Sequence, residues 1–276
     1  MKKGISSQRL FVLGAGKIGS ILLHGFLKQK LVAPKRTLAT VAHRERALLL
    51  SRQLGIAVTT DNAQGARRAD IILLCVKPQQ VAAVLEEIHG AVRPGTLVIS
   101  VAASVPTSFI EKHLPEGTPV VRAMPNTPCV VGRGMTGICA GAHARAEHLH
   151  VARSLFDTVG RSVIVDEKHM DAVTGLSASG AAFIYIILEA LAEGGVKVGL
   201  PRDIATLLAA QTALGAARVV LDTGDHPALL KDAVTTPAGC TIDGILELEE
   251  GKLRVTLIKA VVKATERARA LMFEPA

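Results

Sequence analysis

Arg9-Leu10-Phe11-Val12-Leu13-Gly14-Ala15-Gly16-Lys17-Ile18-Gly19 is the stretch on which the fold turns. A short apolar run stops at a glycine, and G-x-G-x-x-G then leads into residues of helical periodicity over 18–30. By itself a glycine-rich hexapeptide says little. Between a strand and a helix it acquires a mechanism. The first glycine permits a tight turn, the second lets backbone approach a pyrophosphate, and the third lets helix pack on strand. The N–H groups of the opening helical turn then face the anion. The alternative is a glycine-rich turn with no ligand.

The same alternation continues outward. Residues 37–42, 56–59, 70–76 and 96–101 read as strands, and 45–53 and 79–88 as helices. Ile71-Ile72-Leu73-Leu74-Cys75-Val76 is apolar without a break, as in a strand covered on both faces. Near Asp166 the texture changes, and 170–196, 202–221 and 253–271 are long Ala-rich helical segments. Pro201 marks one helix start, and Pro237-Ala238-Gly239 breaks the pattern before another. The expected architecture is α/β: a Rossmann-type doubly wound sheet over 1–166, then an all-α domain over 167–276. Residues 204–217 carry no charge, and helices apolar on every side are buried ones. So small a helical domain predicts an oligomer in which helices of two chains interlock. The alternative is a monomer packed only on its own first domain.

Composition narrows the function classes. Aromatics are 3% of the 276 residues, with no Trp and one Tyr, too few for base-stacking platforms. The formal charge is +8, but Lys and Arg are dispersed and Arg44 with Arg46 is the densest cluster, so no nucleic-acid partner is expected. Cys75, Cys129, Cys139 and Cys240 form no C-x-x-C pair, as in a reduced cytoplasmic protein. The nine His are scattered, and His148 with His150 lacks further ligands, so no metal is expected. After Met1-Lys2-Lys3-Gly4 the first apolar segment, 10–13, is too short for a signal peptide. The charge-free run 172–188 falls short of the ~20 residues of a membrane span, so a buried core helix and no membrane partner are expected.

The end of the second strand sets the expected nucleotide. A proton-accepting Asp or Glu there suits the ribose 2′-OH of NAD. Here Thr40-Val41-Ala42-His43-Arg44 has no acid before Glu45. Thr40, His43 and Arg44 suit a 2′-phosphate instead, with Arg44 as the planar cationic fork. NADPH is expected over NADH, which stays admissible. The plain alternative is that Arg44 and Arg46 are ordinary exposed helix residues.

Longer motifs carry a resemblance. Thr60-Asp61-Asn62, Val76-Lys77-Pro78-Gln79, Ile99-Ser100-Val101-Ala102-Ala103 and Met124-Pro125-Asn126-Thr127-Pro128 resemble the nucleotide-domain signatures of the pyrroline-5-carboxylate reductase family. So do Asp171-Ala172-Val173-Thr174-Gly175-Leu176-Ser177, Gly194-Gly195-Val196-Lys197-Val198-Gly199-Leu200-Pro201-Arg202, His226-Pro227, Leu230-Lys231-Asp232-Ala233-Val234 and Thr236-Pro237-Ala238-Gly239-Cys240-Thr241-Ile242 in the second part. The likeness runs over 11–270. It implies hydride transfer from NADPH or NADH to the imine carbon of 1-pyrroline-5-carboxylate, a cyclic imine carboxylate, giving L-proline in the last step of proline biosynthesis. It implies a homodimer interlocked through the helical domain, often built into a decamer. In this chain it implies a substrate carboxylate on the Gly239 and Cys240 N–H groups with the Thr236 hydroxyl. Thr241 is the catalytic candidate, its hydroxyl near the ring nitrogen; the alternative is plain capping of a helix beginning near Ile242. It further implies a cofactor held by Gly14, Ala15, Gly16, Lys17, Ile18 and Gly19, by Asn62 at the adenosine ribose, and by Val76, Lys77 and Pro78 along the groove. Ala102, Ala103, Asn126 and Thr127 would lie beside the nicotinamide. Lys77 also reads as a plain strand-end lysine.

Some residues depart from the family's usual pattern. Ser104 follows Ala102-Ala103 where Gly is usual, and Ala238 follows Pro237 where Gly is usual. Ala178, Ala181 and Phe183 replace Gly, Pro and Tyr, and Cys240 stands where Thr or Ala is common. These changes bear on the pocket's shape, so a related cyclic imine is one alternative and a non-enzymatic NADP-binding regulator another. A β-hydroxyacid dehydrogenase would carry an acid/base Lys on its long helix, and 170–196 contains none.

Overall fold

The structure, a computed structural model, describes residues 5–271. The Met1-Lys2-Lys3-Gly4 start lies outside the described residues. Eight strands form one sheet: β1 (Leu10–Leu13), β2 (Thr37–Thr40), β3 (Ala57–Thr59), β4 (Ile71–Leu74), β5 (Leu97–Ser100), β6 (Val120–Pro125), β7 (Gly134–Ala140) and β8 (Gly160–Ile164). Their order is β3-β2-β1-β4-β5-β6-β7-β8, parallel except for the β6–β7 pair. The chain walks from β1 to β3 in one direction and returns to place β4 on the other side of β1. That reversal opens a crevice at the carboxyl ends of β1 and β4, where this architecture binds ligands.

Helices α1 (Lys17–Lys28), α2 (Arg44–Leu54), α3 (Asn62–Ala66), α4 (Val81–Ile88), α5 (Thr107–Lys112) and α6 (Ala146–Phe156) accompany the sheet. Strand alternation divides the core in two. Leu10, Val12, Ile71 and Leu73 pack on one face with Leu22, Leu23 and Phe26 of α1. Phe11, Leu13, Ile72 and Leu74 pack on the other with Val81, Leu85 and Ile88 of α4. β1, β4 and β5 are buried at every residue, which explains their unbroken apolar runs.

The helical part comprises α7 (Met170–Val173), a π segment (Thr174–Ala178), α8 (Gly180–Lys197), α9 (Arg202–Thr223), α10 (Pro227–Ala233), α11 (Cys240–Glu250) and α12 (Leu253–Ala270). The chain divides into two compact units. The first holds residues up to Ser179 together with those from Lys263 on, and the second is Gly180–Val262.

Within the first unit an ion network anchors the start of the long helix. Arg122 on β6 is 4% exposed. Its guanidinium lies 3.6 Å from Glu167 and 3.4 Å from Asp171, one helical turn apart. Thr107 at the head of α5 donates both its N–H and its hydroxyl to Glu167, each at 2.7 Å. A buried guanidinium needs such partners, because an uncompensated charge there costs several kcal/mol, about 3–5.

In the second unit α8 and α9 meet through small residues. A Cβ on Gly195 would stand 2.9 Å from the Ala205 Cβ, and Ala192, Ala205 and Ala209 form the buried seam. The rest of these helices is uncovered: Tyr185, Ile186, Leu207 and Leu214 are all more than half exposed. The expected buried core helix is therefore not buried by its own chain. The helix containing the run 172–188 is also longer than that run. Residues 167–197 and 202–223 are each long and apolar enough to cross a membrane by length and composition.

Candidate active site

β1 ends at Leu13, and Gly14 turns the chain at φ +89°, a left-handed value that a side chain resists. A Cβ on Gly14 would stand 2.7 Å from Val76 Cγ1, and one on Gly19 would stand 2.7 Å from the Gly14 carbonyl oxygen. These two glycines are needed for protein–protein packing. Gly16 is different. It has φ −72°, and nothing lies within 4 Å of where its Cβ would be. It caps α1 with no side chain of its own, so the N–H groups of Lys17, Ile18 and Gly19 have neither an intrahelical acceptor nor a side-chain cap. Room, unpaired donors and the positive end of a helix are what a pyrophosphate requires, so the residues present fit the expected dinucleotide.

The remaining cofactor candidates also lie at carboxyl ends of strands in the first unit, but not all face outward. Thr40 faces the glycine loop. It is 2% exposed. Its hydroxyl accepts the Gly14 N–H at 3.2 Å, and its carbonyl accepts the Ala15 N–H at 2.7 Å. It shapes the glycine loop, and its hydroxyl hydrogen remains available as a donor. His43 and Arg44 remain: His43 caps α2, Arg44 opens it, both are exposed, and Arg44 has no ion-pair partner among the described residues. Asn62 is turned toward α4, its amide donating to Glu87 Oε2 at 2.8 Å. Val76 packs on the glycine loop, while Lys77 is exposed and precedes a 3-10 turn opened by Pro78. Ala102 is buried and donates its N–H to Ser100 Oγ at 3.2 Å, and Ala103 is half-buried beside it.

Asn126 follows β6 and is bonded within the protein at both ends of its amide. Its Oδ1 accepts the Met135 N–H at 2.8 Å, and its Nδ2 donates to the carbonyl and hydroxyl oxygens of Ser177, each at 3.3 Å. Ser177 lies in the π segment, a widened helical turn of the kind that recurs at functional sites. Asn126 therefore holds the π segment, with one lone pair of its amide oxygen still open; Thr127 next to it is exposed. Ser177 was not among the candidates. Its signals were its place at the end of the motif Asp171-Ala172-Val173-Thr174-Gly175-Leu176-Ser177 and the small-residue run Gly175, Ser177, Ser179, Gly180.

The second unit contributes the turn before α11. The resemblance implies a Gly239 N–H on the substrate carboxylate; in the structure that N–H donates to the Thr236 carbonyl at 3.1 Å and closes the turn. A side chain on Gly239 would collide with the Thr236 hydroxyl. α11 begins at Cys240 with Gly239 as its cap and no side-chain cap bond. Thr241 is thus inside the first turn, which removes the helix-capping alternative for its hydroxyl. The N–H groups of Cys240, Thr241 and Ile242 have no acceptor within the helix. Among the described residues no group of three His, Cys, Asp or Glu could hold a metal ion.

Known proteins match this layout across its length. The family model described as pyrroline-5-carboxylate reductase dimerisation matches residues 167–271, and that of NADP oxidoreductase coenzyme F420-dependent matches 9–104. A pyrroline-5-carboxylate reductase of Methanosarcina acetivorans is 46% identical over 267 residues, covering 97% of this chain and 99% of that protein. The chain belongs to the pyrroline-5-carboxylate reductase family. A solved pyrroline-5-carboxylate reductase from Coxiella burnetii superposes with TM-score 0.90 at 36% identity, covering 97% of this chain and all of that one. The pyrroline carboxylate reductase of Plasmodium falciparum, solved with NADP bound, has TM-score 0.88 at 28% identity over 98% of this chain and all of that one. The reductase family's dimerisation domain includes both long apolar helices, so self-association accounts for their uncovered faces.

The family also gives meaning to two departures. Ser104 and Ala238, the two positions where the resemblance leads one to expect Gly, are both left-handed here, at φ +63° and +58°. Ala238 follows Pro237 in a turn whose third residue has positive φ, the type II arrangement that favours Gly.

Proposed function

We propose that this chain reduces 1-pyrroline-5-carboxylate to L-proline in the cytoplasm, with NADPH preferred over NADH. The observation that carries the reading is the uncapped start of α11, where Cys240, Thr241 and Ile242 present three N–H groups behind a glycine cap. A carboxylate held there gains hydrogen bonds and the positive end of a helix, typically about 0.3–1 kcal/mol for the dipole alone. The Thr236 hydroxyl adds a donor at the same turn. The Thr241 hydroxyl donates to the ring nitrogen of the neutral imine, and its oxygen accepts the N–H once the nitrogen has taken a proton from solvent. Little covalent work falls to the protein; its task is orientation. The bound dinucleotide supplies the hydride when reduced. The open face of Gly16 receives its pyrophosphate, and Arg44, with its guanidinium unpaired among the described residues, meets the 2′-phosphate. All four cysteines are free, as a reducing compartment requires.

The test is oxidation of NADPH by purified protein given pyrroline-5-carboxylate, with NADH in parallel. Rapid, NADPH-favouring oxidation is expected. Arg44→Gln removes a charge-assisted contact of about 2 kcal/mol, so KM for NADPH rises roughly 30-fold while NADH is unaffected. Tight NADPH binding with no oxidation would overturn the assignment.

A further inference from the structure

The carboxyl ends of the strands hold the cofactor loop. At the opposite ends of β1, β2 and β3 lies a second cavity, of about 460 Å³. Arg9, Lys35, Arg36 and Arg68 line it, and no carboxylate does. These cations are scattered in sequence. Arg9 precedes β1, Lys35 and Arg36 belong to the 3-10 turn Pro34–Arg36 before β2, and Arg68 follows α3. Folding alone gathers them, which is why the sequence reads as evenly basic.

Arg36 is fixed by donating to the Ser7 carbonyl at 3.0 Å. Arg9, Lys35 and Arg68 make no ion pair among the described residues, and all three side chains reach solvent. The carboxylate nearest in sequence, Asp70, is already engaged. It accepts the Arg9 backbone N–H at 2.8 Å and pairs with Arg93 at 3.0 Å. Thr37 and Gln64 add neutral polar groups to the wall. Four like charges around one concavity repel one another, and the field they focus there favours a multiply charged anion. The concave shape and the volume suit a small molecule. The site stands apart from the glycine loop by the length of β1, four residues or about 13 Å.

We propose that this cavity binds a compact polyanion carrying two or more phosphate groups, at a site separate from the cofactor loop. Guanidinium forks from Arg9 and Arg68 would take one phosphate edge-on, with Lys35 as a mobile point charge. The probe is inorganic tripolyphosphate, titrated calorimetrically into the enzyme already saturated with NADPH, so that the glycine loop is filled. At low ionic strength one site per chain is expected. Its affinity should fall as salt approaches about 0.15 M. The Arg9→Gln/Arg68→Gln double variant should bind on the order of tenfold more weakly while its reductase activity is unchanged. Because both side chains are exposed, the variant should keep the wild-type melting temperature, which is the check on its fold. Absence of binding to the wild type, or equal binding to the folded variant, would overturn the proposal.

Discussion

Asn126 and Ser177 are joined by two hydrogen bonds of 3.3 Å, from one amide nitrogen to the carbonyl and to the hydroxyl of the same serine. The other end of that amide accepts the Met135 N–H at 2.8 Å, so a single side chain ties the end of β6 to β7 and to the π segment. Asn126→Ala strands the Met135 N–H and frees the π segment. Stability should drop by about 2 kcal/mol in urea unfolding. Asn126→Asp restores the acceptor and not the donor. It should recover the part owed to Met135 while leaving kcat as low as in Asn126→Ala. Equal kcat in Asn126→Asp and wild type would show that the Ser177 bonds do not matter to the reaction.

Two glycines in one motif should fail in different ways. Gly14→Ala places a side chain at φ +89° against Val76, combining left-handed strain with overpacking, and should destabilise the fold by about 2–4 kcal/mol. Gly16→Ala adds a Cβ with no atom within 4 Å beyond its chain neighbours and should leave the melting temperature almost unchanged. It fills the space over the first turn of α1, so NADPH binding should weaken by about 2 kcal/mol, or roughly 30-fold in Kd. Calorimetry and thermal unfolding on the same two proteins separate the cases.

Ser104 and Ala238 invite the reverse experiment. A non-glycine residue at positive φ costs about 1–2 kcal/mol, offset in part by the extra freedom glycine has when unfolded. Ala238→Gly should therefore stabilise slightly, by about 0.5 kcal/mol. Ser104→Gly should gain more, about 1–2 kcal/mol, because the Ser104 hydroxyl is buried with no hydrogen-bond partner among the described residues. A loss of stability in Ser104→Gly would mean that the hydroxyl has a partner, such as bound water, whose bond outweighs the strain.

The first five strands and the long helices were legible because their physics is local. Ile71-Ile72-Leu73-Leu74 could only be a strand covered on both sides, and the glycine loop fixed the order of β1 and α1. β7 was not legible. Its Gly134 and Gly137 break strand propensity, yet each is there because another element passes close by: Cys129 crowds the first and Val173 the second. The same limit applied to the site. Thr40 and Asn62 have suitable chemistry at suitable spacing, but whether a hydroxyl or an amide faces a ligand or a neighbour is decided by packing. For Thr40 the neighbour was Gly14, 26 residues away in sequence.

The cysteines give a prediction in which pH has a definite sign. Burial pushes the Cys129 thiol up to about 11 and the Cys139 thiol up to about 12, and Cys75 is raised further still. Unfolding releases these thiols to ordinary values near 9, so above that pH the unfolded state holds fewer protons than the folded one. Stability should be level up to about pH 9 and then fall by about 1.4 kcal/mol per pH unit for each buried thiol until its folded value is reached. Cys139→Ser should flatten that fall by roughly a third, since three thiols share it. The exposed Cys240 belongs to the proposed carboxylate turn and should behave differently. Iodoacetamide on the native enzyme at mildly alkaline pH should leave one adduct by mass, on Cys240, and abolish imine reduction. L-Proline, as product, should slow the reaction by covering the turn. A protein fully alkylated at Cys240 that keeps its KM for pyrroline-5-carboxylate would place the carboxylate elsewhere.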